Sequence, residues 1–151
     1  MDRVNQEPLP NVGVMSQLTD GARVAMFYAR AAVSEHGGTS IGLGHMLLGI
    51  LRMLPETGTA TIESGAAQGL SECVTKTIVD HQLVSTEAEI PLGRDTKRVI
   101  DQALRVAQQL GAARIAPEHV LLVLLDEADD VATCLRRAGV TKEKVMLRLT
   151  P

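Results

Sequence analysis

An all-α fold built from two copies of one helical unit is predicted by three observations: an internal duplication, an aliphatic palette and a recurring helical period. Residues 18–51 lie over residues 92–125 at a constant offset of 74 without a gap. The identical positions are Leu18, Ala29, Gly37, Ile41, His45, Leu47, Leu48 and Leu51, which match Leu92, Ala103, Gly111, Ile115, His119, Leu121, Leu122 and Leu125. Self-similarity at a fixed offset is the mark of a repeated structural unit. The composition agrees: 45% of the 151 residues are hydrophobic, yet there is one Phe, one Tyr and no Trp, a mixture that suits packed helices better than a β sandwich. The expected architecture is two pseudo-symmetric four-helix repeats packed as one eight-helix domain.

The elements follow in order. Residues 1–17 contain Pro8, Pro10 and Gly13 and few core-type side chains, and they read as a flexible leader. Thr19 is a good N-cap for a helix with Ala22, Ala25, Met26, Ala29, Ala32 and Val33 on one face, ending at Gly37 and Gly38. Its counterpart runs from about Arg94 to Leu110, turns Val99, Ala103, Val106 and Leu110 inward, and stops at Gly111. A short bridge follows each stop and leads to HMLLGIL in one copy and HVLLVLL in the other. These stretches are apolar nearly all round, so each should form the buried centre of its half. Pro117 fits a first helical turn, where its missing N–H has no partner to lose.

In the second copy a third helix is expected from Asp129 or Asp130 to Gly139, and a fourth from Thr141, with Val140 and Val145 spaced as a hydrophobic staple. In the first copy the equivalents fall near Thr59 to Ser64 and Ser71 to Val84, interrupted by glycines at 58, 65 and 69. The division of the chain is then a leader at 1–17, repeat one at 18–84, a linker at 85–91 and repeat two at 92–149, the whole of 18–151 forming one domain.

Several functions are disfavoured at this level. A net charge of −3 gives no electrostatic footprint for nucleic acid, and two aromatic residues give no platform for stacking bases. No apolar run reaches the roughly 18 residues of a membrane span, and the first residues lack the apolar stretch of a signal peptide, so no membrane partner is expected and a cytoplasmic location is. In a reducing compartment Cys73 and Cys134 are expected as two free, packed thiols. His45 and His119 occupy matched helix starts and are expected to hydrogen-bond their own bridges rather than ligate a metal. No cofactor is expected. There is no G-x-x-x-x-G-K-[ST] loop and no G-x-S-x-G elbow, so neither nucleotide hydrolysis nor serine catalysis is indicated, and an enzyme is not expected.

The stretches LTDGAR at 18–23, IGLGHMLLG at 41–49 and IAPEHVLL at 115–122 resemble the N-terminal repeat domain of Clp-family AAA+ unfoldases, the ClpC branch above all, over about residues 18–149. That resemblance implies an all-α domain that docks substrates and adaptor proteins for an ATP-driven unfoldase feeding a ClpP-type protease. Without ATPase modules, the chain would serve as an adaptor, an accessory subunit or a competitor for docking. In ClpC-like proteins the Glu of I-G-T-E-H and the Thr of F-T-x-R-A are associated with phosphorylated arginine. Here the first copy keeps Thr19 but has Gly44, and the second keeps Glu118 but has Gly93. Taken copy by copy neither pair is complete, which disfavours phosphoarginine recognition and favours docking through surface shape.

The resemblance places the docking groove near the two repeat starts, at Leu18, Thr19, Arg23, Leu92, Lys97 and Glu118, with Leu18 and Leu92 standing where the family usually has Phe. The alternative reading is a small helical DNA-binding regulator, for which no basic recognition helix stands out.

Overall fold

A computed structural model describes residues 12–57, 64–78 and 90–149. The described residues form eight helices: α1 (Val12–Met15), α2 (Asp20–His36), α3 (Leu43–Thr57), α4 (Ser64–Thr75), α5 (Arg94–Gln109), α6 (Pro117–Leu125), α7 (Asp130–Arg137) and α8 (Lys142–Leu149). The all-α repeat architecture is therefore as the sequence indicates. α2 and α5, and likewise α3 and α6, begin 74 residues apart.

Local chemistry sets the helix ends. The Thr19 hydroxyl accepts the Ala22 N–H at 3.2 Å and caps α2, and the Asp129 carboxylate accepts the Ala132 N–H at 3.1 Å and caps α7. Thr141 does the same for α8 through Lys144 N–H at 3.2 Å. Gly37 and Gly111 adopt φ of 103° and 82°, values that side chains with a Cβ rarely take, and they end α2 and the turn after α5. Pro117 stands in the first turn of α6, and all nine residues of α6 are buried. Val140 and Val145 are both buried at the entry to α8.

The repeats are joined in a crossed manner. Leu18, at the start of repeat one, forms a parallel bridge with Ile115 of repeat two, and Leu92, at the start of repeat two, forms one with Ile41 of repeat one. The hydrogen bonds are Thr19 N–H to Ile115 O at 2.9 Å, Ile115 N–H to Gln17 O at 2.8 Å, Ile41 N–H to Pro91 O at 2.9 Å and Gly93 N–H to Ile41 O at 2.9 Å. The two bridges interchange under the 74-residue offset, which is what a two-fold relation between the halves requires. Both copies contribute to one continuous core, from Leu18, Val33 and Leu47 through Val99, Leu121 and Leu135.

Leu110, expected inward, is 45% exposed at the end of α5, where Ala107 is buried instead. Three further expectations change. First, the break expected between Ser64 and Ser71 is absent: α4 runs unbroken through Gly65 and Gly69, anchored by buried Leu70 and Val74 one turn apart. Glycine weakens a helix interior by about 1 kcal/mol, which tertiary burial of this kind exceeds. Second, residues 12–15 of the leader form α1, tied down where the Arg23 Nε donates to Met15 O at 2.9 Å. Third, Cys73 and Cys134 are not free thiols. They form a disulfide that links α4 to α7 with Cα atoms 5.8 Å apart. Helices from opposite repeats bring together cysteines that lie 61 residues apart in sequence. The rest of the leader at 1–11, residues 58–63, and residues 79–89 with most of the expected linker and the expected end of the last first-copy helix, lie outside the described residues.

Candidate docking site

The crossed bridges decide which site residues meet. Thr19 N–H is bonded to Ile115 O, three residues before Glu118, so the Thr19 turn lies against the start of α6 rather than against the start of α3. The hydroxyl and carboxylate left unpaired by a copy-by-copy reading thus come from opposite repeats to the same junction. The other junction brings together the two glycines. A Cβ on Gly93 would lie 3.2 Å from Ile41 O and from the Ser40 hydroxyl, and one on Gly44 would lie 3.2 Å from the Thr77 hydroxyl and 3.3 Å from Ile78. There the hydroxyl has moved inward: Thr96, at the position matching Ala22, donates to Ile41 O at 2.8 Å and is fully buried.

Glu118 is 7% exposed. Burial raises its carboxyl above the ordinary range, while a hydrogen bond from its own backbone and the charge of Arg148 pull the other way. A carboxyl whose folded pKa is raised lends full stability below the unfolded value of 4.5 and loses it as pH rises through the folded value. At neutral pH the charge is therefore a burden on the fold. Glu118→Gln should raise Tm by a few degrees at pH 7, and thermal melts should show that difference vanishing below about pH 4.

The histidines behave as hydrogen-bond anchors. His45 Nδ1 accepts Gly42 N–H at 3.0 Å and its Nε2–H donates to Gly37 O at 2.8 Å. His119 Nδ1 accepts Ala116 N–H at 2.8 Å. Each ring closes its own bridge onto the first turn of the helix that follows, the reciprocal half of a capping box. Burial lowers the His119 pKa, which keeps the ring neutral and able to accept. Among the described residues no group of three His, Cys, Asp or Glu is placed to hold a metal ion.

The remaining sequence-selected residues separate by exposure. Leu18 and Leu92 are 1% and 4% exposed, so they pack the interior and line no open groove. Arg23 is half-buried, bonded to Met15 O and paired with Asp20 at 3.0 Å. Lys97 alone of the set is exposed. It belongs to a feature missed in the sequence: Arg94, Lys97, Arg98 and Arg105 line a surface groove of about 490 Å³ along α5 with Asp101 and Gln102. Arg98 is neutralised by Glu127 at 2.6 Å and Asp95 at 3.5 Å. Arg94, Lys97 and Arg105 have no ion-pair partner among the described residues. Their i, i+3, i+11 spacing on one helix was the available signal. Phe27 is a second such feature, 71% exposed on α2 and edge-on to Tyr28, over whose ring Arg52 lies at 5.4 Å.

Comparison with known proteins gives the family and the fold. The family model of the Clp repeat N-terminal domain matches residues 17–139. The chain belongs to that family. This Clp N-terminal domain is 31% identical over 130 residues to an uncharacterized protein of Mycobacterium tuberculosis, covering 85% of this chain and 50% of that one. It thus spans about half the length of its mycobacterial relatives. Identity to the chaperone protein ClpB of Bacteroides thetaiotaomicron is 25% over 117 residues, 75% of this chain and 13% of ClpB.

Among solved structures, the N-terminal domain of the chaperone ClpD from Arabidopsis thaliana superposes with a TM-score of 0.71 at 20% identity. The match covers 90% of this chain and 99% of that one. The Hsp104 N-terminal domain from Candida albicans gives 0.64 at 18% identity over 87% and 88% of the two chains. These likenesses establish the fold. In addition, no helix among the described residues is long and apolar enough to cross a membrane.

Proposed function

We propose that this Clp N-terminal domain is a non-catalytic docking module of the Clp chaperone and protease system, acting as an adaptor, accessory subunit or competitor. The observation that carries the reading is the row of cations Arg94, Lys97 and Arg105 on the outer face of α5, which have no ion-pair partner among the described residues and share their groove with one carboxylate, Asp101. Unpaired cations around a shallow groove favour capture of a polypeptide with complementary charge, and they act mostly on association rate and partner choice. The Thr19 and Glu118 junction is the second docking position. Family resemblance supports it, and so does the backbone bond from Thr19 N–H to Ile115 O, which sets the Thr19 turn beside the start of α6, the helix that carries Glu118. A phosphoarginine ligand would still have to displace the buried setting of Glu118, so unmodified polypeptide is the favoured partner class.

Binding of the chain to a Clp AAA+ unfoldase and its adaptors, followed by fluorescence anisotropy, tests the reading. Lys97→Glu should weaken association about tenfold, with a larger loss at low salt than at high salt and no change in Tm. Equal affinity for wild type and Lys97→Glu at all salt concentrations would place the interface elsewhere. Adding the chain to a reconstituted Clp protease assay then separates an adaptor, which speeds degradation, from a competitor, which slows it.

A further inference from the structure

We propose that Cys73–Cys134 is a thiol–disulfide modification site whose reduction by a dithiol releases the end of α4 from the start of α3. The inference stands apart from the docking reading. The bond joins the only helix described between residues 58 and 89 to α7 of the opposite repeat. α4 packs on α3 and α7, and its last turn together with the residues that follow it sets Val74, Thr77 and Ile78 against Gly44, in the first turn of α3. At the matching junction the residue in that place is Glu118, with a full side chain. Here the missing side chain leaves a space that the α4 end occupies as a plug.

The same two ends wall a cleft of about 410 Å³, lined by Ser40, Gly44, Thr77, Asp129, Asp130 and Val131 among others. Thr77 follows α4 and Asp129 precedes α7, so the disulfide ties together the helices that lead into opposite walls of the cleft. Cutting it leaves the plug held by non-covalent packing, through Ala66, Ala67, Leu70 and Val74 of α4 and Ile78 after it, while Cys134 stays buried in the shared core and Cys73 packs against that core as thiols. A chain of this size with such a core folds without a covalent staple. Two folded states, plugged and released, are therefore available.

Access favours one sulfur. Cys73 is half-buried, whereas Cys134 is 3% exposed. A dithiol reductant, as its thiolate, attacks Cys73 Sγ. The S–S bond breaks, a mixed disulfide forms, and Cys134 leaves as a thiolate that takes up a proton. The second thiol of the reductant, deprotonated, then attacks the mixed disulfide, releasing Cys73 as a thiol and the reductant as its own disulfide. Two electrons and two protons pass to the protein in all.

Dithiothreitol serves as the probe dithiol, with alkylation counted by mass spectrometry and amide hydrogen exchange measured peptide by peptide. The oxidised chain should take up no alkylating label and the reduced chain two. Reduction should speed exchange at least tenfold in peptides covering residues 74–78 and 43–46, and leave α5 and α6 as protected as before. A double variant, Cys73→Ser with Cys134→Ser, should show the released pattern with or without reductant. Unchanged exchange after complete reduction would overturn the proposal, and so would loss of protection throughout α5 and α6, since the bond would then be a staple of the whole fold.

Discussion

Gly49→Ala is expected to destabilise the domain by about 3 kcal/mol or more, at the upper end of what overpacking does, because the added methyl has nowhere to go. A Cβ at Gly49 would lie 2.1 Å from Ala25 O, 2.7 Å from Ala29 N and 3.1 Å from Ala29 Cα. All three are backbone atoms of α2, so no side chain can rotate out of the way. The two helices would have to separate along their length. In repeat two the matching residue is Val123, 4% exposed, which shows that α6 accommodates a branched side chain where α3 tolerates none. Urea denaturation should accordingly show a large drop in midpoint for Gly49→Ala, while Val123→Ala, which only leaves a small void, should cost about 1 to 2 kcal/mol. Equal effects at the two positions would mean that the α2–α3 contact is looser than its geometry states.

Leu121→Ala is the second large loss, at about 3 to 5 kcal/mol. Leu121 is completely buried in a helix buried on all sides, so the cavity cannot close by a neighbour swinging in from the surface. Because the core is shared, the loss should appear as one cooperative transition at lower denaturant rather than as unfolding of repeat two alone. Two separated transitions in circular dichroism would contradict a common core.

Much of this was legible in the sequence because local chemistry agreed with tertiary demand. Thr19, Asp129 and Thr141 cap as their side chains dictate, Gly37 and Gly111 stop helices, and Pro117 opens one. The run from His119 to Leu125 is apolar all round because it is surrounded. α4 was misread because Gly65 and Gly69 are punctuation by propensity alone, whereas the burial of Leu70 and Val74 that overrides them is a tertiary fact. The disulfide was missed for a similar reason: sequence separation says nothing about α4 facing α7.

The site was less legible than the fold. Reading each repeat by itself set Thr19 against Gly44 and Glu118 against Gly93, whereas the backbone bridges Leu18 to Ile115 and Leu92 to Ile41, so each repeat start lies against the opposite copy. Resemblance also made surface residues of Leu18 and Leu92, which sit instead in the interior at those bridges. Lys97 stays exposed because α5 turns Thr96, Val99, Ile100 and Ala103 inward and leaves 97 on the outer face.

Each α2-type helix begins on a turn that the other copy supplies. An isolated half therefore would not be a smaller version of the whole: it would carry a leucine with no socket and a socket with no leucine. The two halves are obliged to be inherited and folded as a pair, and any sequence drift in one bridging turn is felt first by the helix of its sibling.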